Sequence, residues 1–281
     1  MSDRQTPANP AQKSELAKRI VSALILAPLT LGAVYLGGYA YLALALIIGV
    51  LIAWEWSHIV IEQTPYRYAL VLGFLVTLFG LLVFFDTLQA AAMAAPLFFL
   101  VAFFNAPQGK RLWMIGGLAY AALPVMGLVL LRKDPEFGLT AVMFILLLVW
   151  ACDTAAFFAG RAIGGPKLAP TISPGKTWAG FFGGVAASAL VGISAGYMVS
   201  LASPLTLGLV AAFLGAVSQG GDLLESAIKR HFKIKDSGNL IPGHGGIMDR
   251  LDGVIAAIVV ACLLGMAKLG PQLAAKGVLI W

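Results

Sequence analysis

The chain has 281 residues, 60% of them hydrophobic and only 11% charged, with a mean hydropathy of +0.90 and a formal net charge of +6. A soluble globular domain carries about 25% charged residues, so these numbers exclude a soluble enzyme, a disordered chain and a secreted disulfide scaffold. A polytopic membrane protein remains. The apolar runs are long and continuous, which predicts spanning helices and not the alternating strands of an outer-membrane barrel.

Residues 1–15 are polar and contain proline, and they read as a short disordered stretch within a cytoplasmic polar arm of residues 1–19. Lys18 and Arg19 precede an apolar run without a convincing cleavage site, so this is an uncleaved first span and not a signal peptide. Segments of about 20 apolar residues then place spans near 20–37, 41–61, 68–85, 88–105, 113–131, 137–160, 179–200, 205–230 and 248–269. The expectation is an all-α protein of about nine transmembrane helices. Pro96 and Pro124 fall inside spans, where neighbouring helices can satisfy the freed backbone groups. Cys152 and Cys262 lie in apolar stretches and read as small core residues.

With the N-terminus in the cytoplasm, fifteen of the 19 Lys and Arg residues fall on the inner side, and only Arg132, Lys133, Lys268 and Lys276 fall outside. The positive-inside rule supports that orientation and an outer C-terminus. Charge is uneven along the chain as well. Residues 20–149 read as a scaffold, whereas 150–281 form a second region in which Asp153, Asp222, Asp249 and Asp252 lie within or at the ends of apolar helices. Ionisable groups at that depth are costly unless they are paired or metal-bound. The polar loops 161–178 and 231–247 fall on the same inner side, so the chemistry is expected at the cytoplasmic face.

In the first loop, GKT resembles the end of a P-loop, but Pro170 stands where such a loop needs glycine and no soluble strand precedes it. Ser173, Lys176 and Thr177 precede a helix start near Ala179. They fit either a phosphate site at a helix N-terminus or a plain cap with a positive-inside lysine. Further on, Asp222, Ser226 and Lys229 share one helix face. That stripe suits a metal–phosphate contact; the lesser alternative is a solvated helix end with a Glu225–Lys229 pair. Gly243, Gly245 and Gly246 flank His244 and allow close approach of the backbone to a ligand. Asp249 and Asp252 follow at i, i+3 in the first turns of the last span. Oxygen ligands favour Mg²⁺, and His58, His231 and His244 are not spaced as a zinc set.

The run from Ser226 through Lys229, Arg230, Lys235, Asp236, Pro242, Gly243, His244, Gly245, Gly246, Asp249, Arg250 and Asp252 resembles the signature of the integral-membrane phosphatidate cytidylyltransferase (CDP-diacylglycerol synthase) family. A second block runs from Trp150 through Asp153, Thr154, Gly160, Gly164, Lys167, Pro170, Ser173, Pro174, Lys176, Thr177 and Gly180, and Gly117–Tyr120 with Pro124 is a weaker third similarity. One departure is Ala179, where the family usually has Glu in KTxEG. That Glu is read as tuning a helix N-terminus.

The resemblance implies transfer of the cytidylyl group of CTP to phosphatidate, a requirement for Mg²⁺ with a monovalent cation as a second ion, and a homodimer in the bacterial inner membrane. No nucleic-acid partner is expected. On this reading Asp222, Lys229 and Asp249 are catalytic, and Asp222, Asp249 and Asp252 hold the metal. Lys176, Lys229, Arg230 and Arg250 neutralise substrate phosphates. Ser173, Thr177, Ser226 and the Gly245–Gly246 backbone hydrogen-bond them, with Lys235 and His244 also on the substrate. Asp153 is read as a structural partner of Arg161 or Lys167 in preference to a metal ligand. A CTP-dependent polyprenol-type lipid kinase and a transporter are the rival readings. The clustering of charge at one face and the absence of an inverted repeat weigh against the transporter.

Overall fold

Each apolar run of the sequence becomes one helix. The computed structural model describes residues 10–85, 88–199, 203–240 and 245–281. Nine long helices follow one another: α1 (Pro10–Leu36), α2 (Gly38–Val60), α3 (Pro65–Phe84), α4 (Leu88–Asn105), α5 (Arg111–Lys133), α6 (Gly138–Ala162), α7 (Trp178–Met198), α8 (Pro204–His231) and α9 (Met248–Leu269). Eight of them, α2 to α9, are long and apolar enough to cross a membrane, whereas α1 offers a shorter apolar stretch, Leu24–Leu36. The protein is an all-α polytopic membrane protein. One expectation changes. The backbone is helical at Pro10 and beyond, inside the stretch read as a disordered arm. A short helix, α10 (Ala274–Leu279), also follows the last span and is buried against α9. Its six residues are too few to register as a span.

Small residues set the helix contacts in the second half of the chain. Gly184, Ser188, Gly192 and Gly196 recur every fourth residue along α7 and are all buried. They let α7 approach α6 and α8 closely: a Cβ at Gly184 would lie 2.9 Å from the Cys152 carbonyl of α6, and one at Gly192 would meet Leu207 and Ala211 of α8. In lipid, where apolar surface gains nothing by leaving the solvent, such close backbone approach is what drives association. Helices α8 and α9 cross in the same way, with Gly221 against Asp252 and Ala256, and Gly253 against Ser218. In the first half, Gly117 of α5 makes room for the Trp56 ring of α2, whose Nε1 donates to the Trp113 carbonyl at 2.8 Å.

Successive helices run in alternating directions, so the loops sort to two ends. At one end Arg132 of α5 donates from Nε to the Val34 carbonyl (2.7 Å) and from Nη2 to that of Tyr35 (3.0 Å), capping α1. Gly37, at φ 65°, leaves room for that guanidinium, since a Cβ there would lie 2.7 Å from Nη2. At the other end the two polar loops meet. The first folds into a hairpin of β1 (Lys167–Ala169) and β2 (Ser173–Thr177), antiparallel, with Lys167 opposite Thr177 and Ala169 opposite Ser173. The end of α8 reaches it: Arg230 donates from Nε to the Ile172 carbonyl at 3.3 Å.

Candidate active site

The hairpin ends where α7 begins, and that junction builds the first part of the site. Thr177 is the N-cap of α7, its hydroxyl accepting from the Gly180 amide at 3.1 Å. Such a cap stabilises a helix by about 1 kcal/mol. Helices α6 and α7 cross at Gly160 and Gly180: a Cβ at Gly180 would lie 2.8 Å from the Ala156 carbonyl, and one at Gly160 3.0 Å from the Thr177 hydroxyl. Next to this crossing a cavity of about 570 Å³ opens, lined by Asp153 and Arg161 of α6, Lys176 and Thr177 of β2, and Gln219 and Asp222 of α8, with Phe157 and Phe181 as apolar walls. Lys176 spans it: Nζ stands 2.7 Å from Asp222 Oδ2 and donates to the Gln219 carbonyl at 3.4 Å. The Gln219 carboxamide donates to the Phe181 carbonyl at 3.1 Å, tying α8 to α7 beneath the cavity.

The expected stripe on α8 is present but divides. Ser226 donates to Asp222 Oδ1 at 3.3 Å, and Asp222 lines the cavity. Lys229 turns away into a second, buried cluster. Its Nζ meets Asp249 Oδ1 of α9 at 2.5 Å and Glu225 Oε1 at 3.3 Å. Asp249 Oδ2 accepts from the Ser237 amide (2.9 Å), the Gly246 amide (3.1 Å) and contacts the Ser237 hydroxyl (3.0 Å). Both oxygens of Asp249 are therefore occupied by the protein itself. The sequence reading has Asp249 as a metal ligand and the Gly246 amide as a phosphate donor; in the structure the carboxylate ties Ser237 and Gly246 to the start of α9 and engages that amide. Gly245, at φ 83°, turns the loop there.

Asp252 lies one turn further along α9, accepting at Oδ1 from the Gly253 amide (2.7 Å), and its charged surroundings are Asp222, Asp153 and Lys176. Asp153 likewise faces Asp222 and Lys176. It lines the cavity together with Arg161, one of the two structural partners the sequence reading offers it. Asp222 pairs with Lys176, and Asp153 and Asp252 lie within electrostatic range of both, with Arg161 at the rim. Among the described residues no three acids, histidines or cysteines converge closely enough to hold a metal ion by themselves. The set Asp222, Asp249 and Asp252 is not assembled, because Asp249 points into the clamp with Lys229.

The remaining expected residues fall around these two clusters. Ser173 pairs with Ala169 at the far end of β2 and does not line the cavity. Arg230 braces the hairpin through Ile172 and also reaches the Ile234 carbonyl at 3.5 Å. Lys235 and Arg250 are exposed near the same end. His244 lies outside the described residues. Ala179 occupies the first turn of α7.

Two residues enter without a motif. Gln219 belongs to no motif in the sequence. Glu55 of α2 is 1% exposed and accepts from the Ile247 amide (2.7 Å), the Met248 amide (2.9 Å) and the Ser237 hydroxyl (2.9 Å). A lone acid in a 23-residue apolar helix was the signal that could have found it.

The chain is similar to known proteins along most of its length. The profile of the cytidylyltransferase family matches residues 17–267. A phosphatidate cytidylyltransferase of Brucella suis is 39% identical over 258 residues, covering 90% of this chain and 94% of that protein. One of Pseudomonas aeruginosa is 36% identical over 275 residues, covering 91% and 99%, and one of Haemophilus influenzae is 32% identical over 280 residues, covering 86% and 96%. The matched stretch takes in all of α2 to α8, the hairpin, both polar clusters and Glu55, so the chain belongs to the cytidylyltransferase family.

Proposed function

We propose that the chain transfers the cytidylyl group of CTP to phosphatidate, giving CDP-diacylglycerol and pyrophosphate, at the cytoplasmic face of a bacterial inner membrane. The observation that carries this reading is the nearly end-to-end match to phosphatidate cytidylyltransferases of about the same length. The site's construction supports it. Its polar groups collect at one end of the helices, which suits a water-borne nucleotide meeting a membrane-borne lipid.

In the reaction an oxygen of the lipid phosphate attacks the α-phosphorus of CTP. A new P–O bond forms there, the α–β bridging P–O bond breaks, and pyrophosphate leaves with that electron pair. The lipid phosphate is already anionic near neutral pH, so the attacking oxygen needs no strong base. The obstacle is repulsion between two polyanions, and catalysis is mostly positioning and electrostatics. Lys176 and Arg161 supply positive charge at the cavity, Thr177 and Gln219 hold its walls, and Ser226 orients Asp222. Lys229 and Asp249 act by fixing the loop over α9.

The donor set fits a magnesium ion. Asp222 and Asp252 offer hard oxygen ligands, and Asp153 adds negative charge beside them. Mg²⁺ is usually held by one or two carboxylates plus substrate phosphates and not by a closed protein cage, so a site short of three protein ligands is the expected kind. Bound there, the ion would neutralise phosphate charge and orient the triphosphate.

The test uses purified protein in detergent with phosphatidate and CTP labelled at either the α or the γ phosphate. Label from the α position in lipid is the expected result. Label from the γ position would make the protein a lipid kinase, and no label in lipid would remove group transfer to phosphatidate altogether.

A further inference from the structure

Glu55 stands five residues from the end of α2, outside every motif read from the sequence. A buried carboxylate is tolerated only when its lone pairs are filled. Here the donors are the amides of Ile247 and Met248, at the very start of α9. The first N–H groups of a helix have no partner within it and mark the positive end of its dipole. The N-cap residue of α9, Ile247, has no side chain that could satisfy them. The cap arrives from a different helix, 192 residues earlier in the chain.

The loop is shaped to admit that carboxylate. A Cβ at Gly238 would lie 3.0 Å from Glu55 Oε1, and one at Gly246 would lie 2.7 Å from Oε2 and collide with Ser237. The Ser237 hydroxyl bridges Glu55 Oε2 and Asp249 Oδ2, so the cap and the Asp249–Lys229 clamp share one atom. Trp56 beside it is fixed on α5 by its bond to Trp113 and its contact with Tyr120, with ring centroids 5.2 Å apart. Helix α2 therefore offers α9 an anchored contact.

We propose that Glu55 is a positioning residue for cytidylyl transfer: capping α9 from α2, it sets the height and rotation of α9 and hence where Asp252 stands opposite Asp222. Glu55 does not line the cavity and touches neither substrate. The inference rests on the cytidylyltransferase reading for its kinetic consequence, but not for its structural one.

Glu55→Gln keeps the shape of the side chain and turns one acceptor oxygen into an NH₂ that faces an N–H. Glu55→Asp keeps the charge one methylene short. In the full-length protein, Glu55→Gln should speed hydrogen exchange in the segment 245–252 while peptides of α3, α4 and α7 are unchanged. It should lower kcat by about 100-fold, the scale of a 1 Å misplacement, with the KM for CTP within about threefold. The Mg²⁺ concentration for half-maximal rate should rise about tenfold or more, as for a lost outer-sphere support; a smaller folded fraction would not move that midpoint. Glu55→Asp should fall between wild type and Glu55→Gln. Faster exchange in 245–252 with kcat and the Mg²⁺ midpoint unchanged would leave Glu55 a stability residue and overturn the proposal. Should Glu55→Gln not fold, Ser237→Ala decides: it removes only the shared hydroxyl, and an unchanged kcat and midpoint would overturn the proposal. Failure of the wild type to transfer α-label would sink the activity and leave the exchange result to judge the cap.

Discussion

Lys229 changes most between the pattern and the structure. Read from spacing, it is a cation on an open stripe with Asp222 and Ser226. In the fold it is wedged between Asp249 and Glu225, whose side chains are 11% and 0% exposed. Removing one member of such a buried set leaves uncompensated charge and costs about 3–5 kcal/mol. Lys229→Met should therefore lower the melting temperature as well as the rate. The double variant Lys229→Met/Asp249→Asn should recover part of the stability without recovering activity, which thermal melts in detergent and a turnover assay will separate. Asp222→Asn should behave differently. Asp222 faces the open cavity, so that variant should abolish turnover while melting close to wild type. Equal stability losses in the Asp222 and Lys229 variants would dissolve the distinction between the two clusters. The sequence marked both residues by type and spacing, but spacing along one helix cannot say which neighbour on another helix a long lysine will choose.

Among the elements, helix ends carry clear expectations. Helix α8 stops through a left-handed residue, Lys233 at φ 56°, whose following amide, Ile234, bonds back to the Lys229 carbonyl at 2.9 Å. A side chain in that conformation costs about 1–2 kcal/mol, which glycine avoids. Lys233→Gly should raise the melting temperature and leave turnover unchanged. Gly180→Ala should do the reverse. Its Cβ would press on the Ala156 backbone at 2.8 Å, and overfilling of this kind costs about 1–3 kcal/mol, here at the α6–α7 crossing beside the cavity. Gly220→Ala, with nothing within 4 Å of the new Cβ, is the matched control and should melt at or above the wild-type temperature. Each long apolar run was legible as a helix because 20-residue hydrophobic stretches admit little else in lipid. The hairpin of β1 and β2 was not, since two strands of three and five polar-rich residues leave no periodic trace.

At the scale of the molecule, the sorting of loops to two ends makes orientation measurable. Cys152 and Cys262 are both buried and should stay silent toward impermeant thiol reagents. Lys235→Cys should then be modified only from the cytoplasmic side, and Glu136→Cys, in the exposed turn between α5 and α6, only from the opposite side. Labelling of Lys235→Cys from outside would reverse the protein and separate its site from cytosolic CTP. The nine-run pattern and the concentration of charge after Trp150 were readable because hydropathy and Lys/Arg bias are local properties. The contribution of α2 to the site was not. It depends on which helices become neighbours, and that is settled by glycines and tryptophans whose partners lie far along the chain.

The Glu55 cap also has a consequence for how the protein is made. Its amide partners are synthesised 192 and 193 residues after it. While α3 to α8 are being inserted, α2 must hold a carboxylate near the membrane boundary with none of its final donors yet in existence. A nascent chain is then incomplete in a chemical sense until its last long helix arrives. Chains cut short before Ile247 lack both amides that bond the acid and carry it, without them, within a hydrophobic segment.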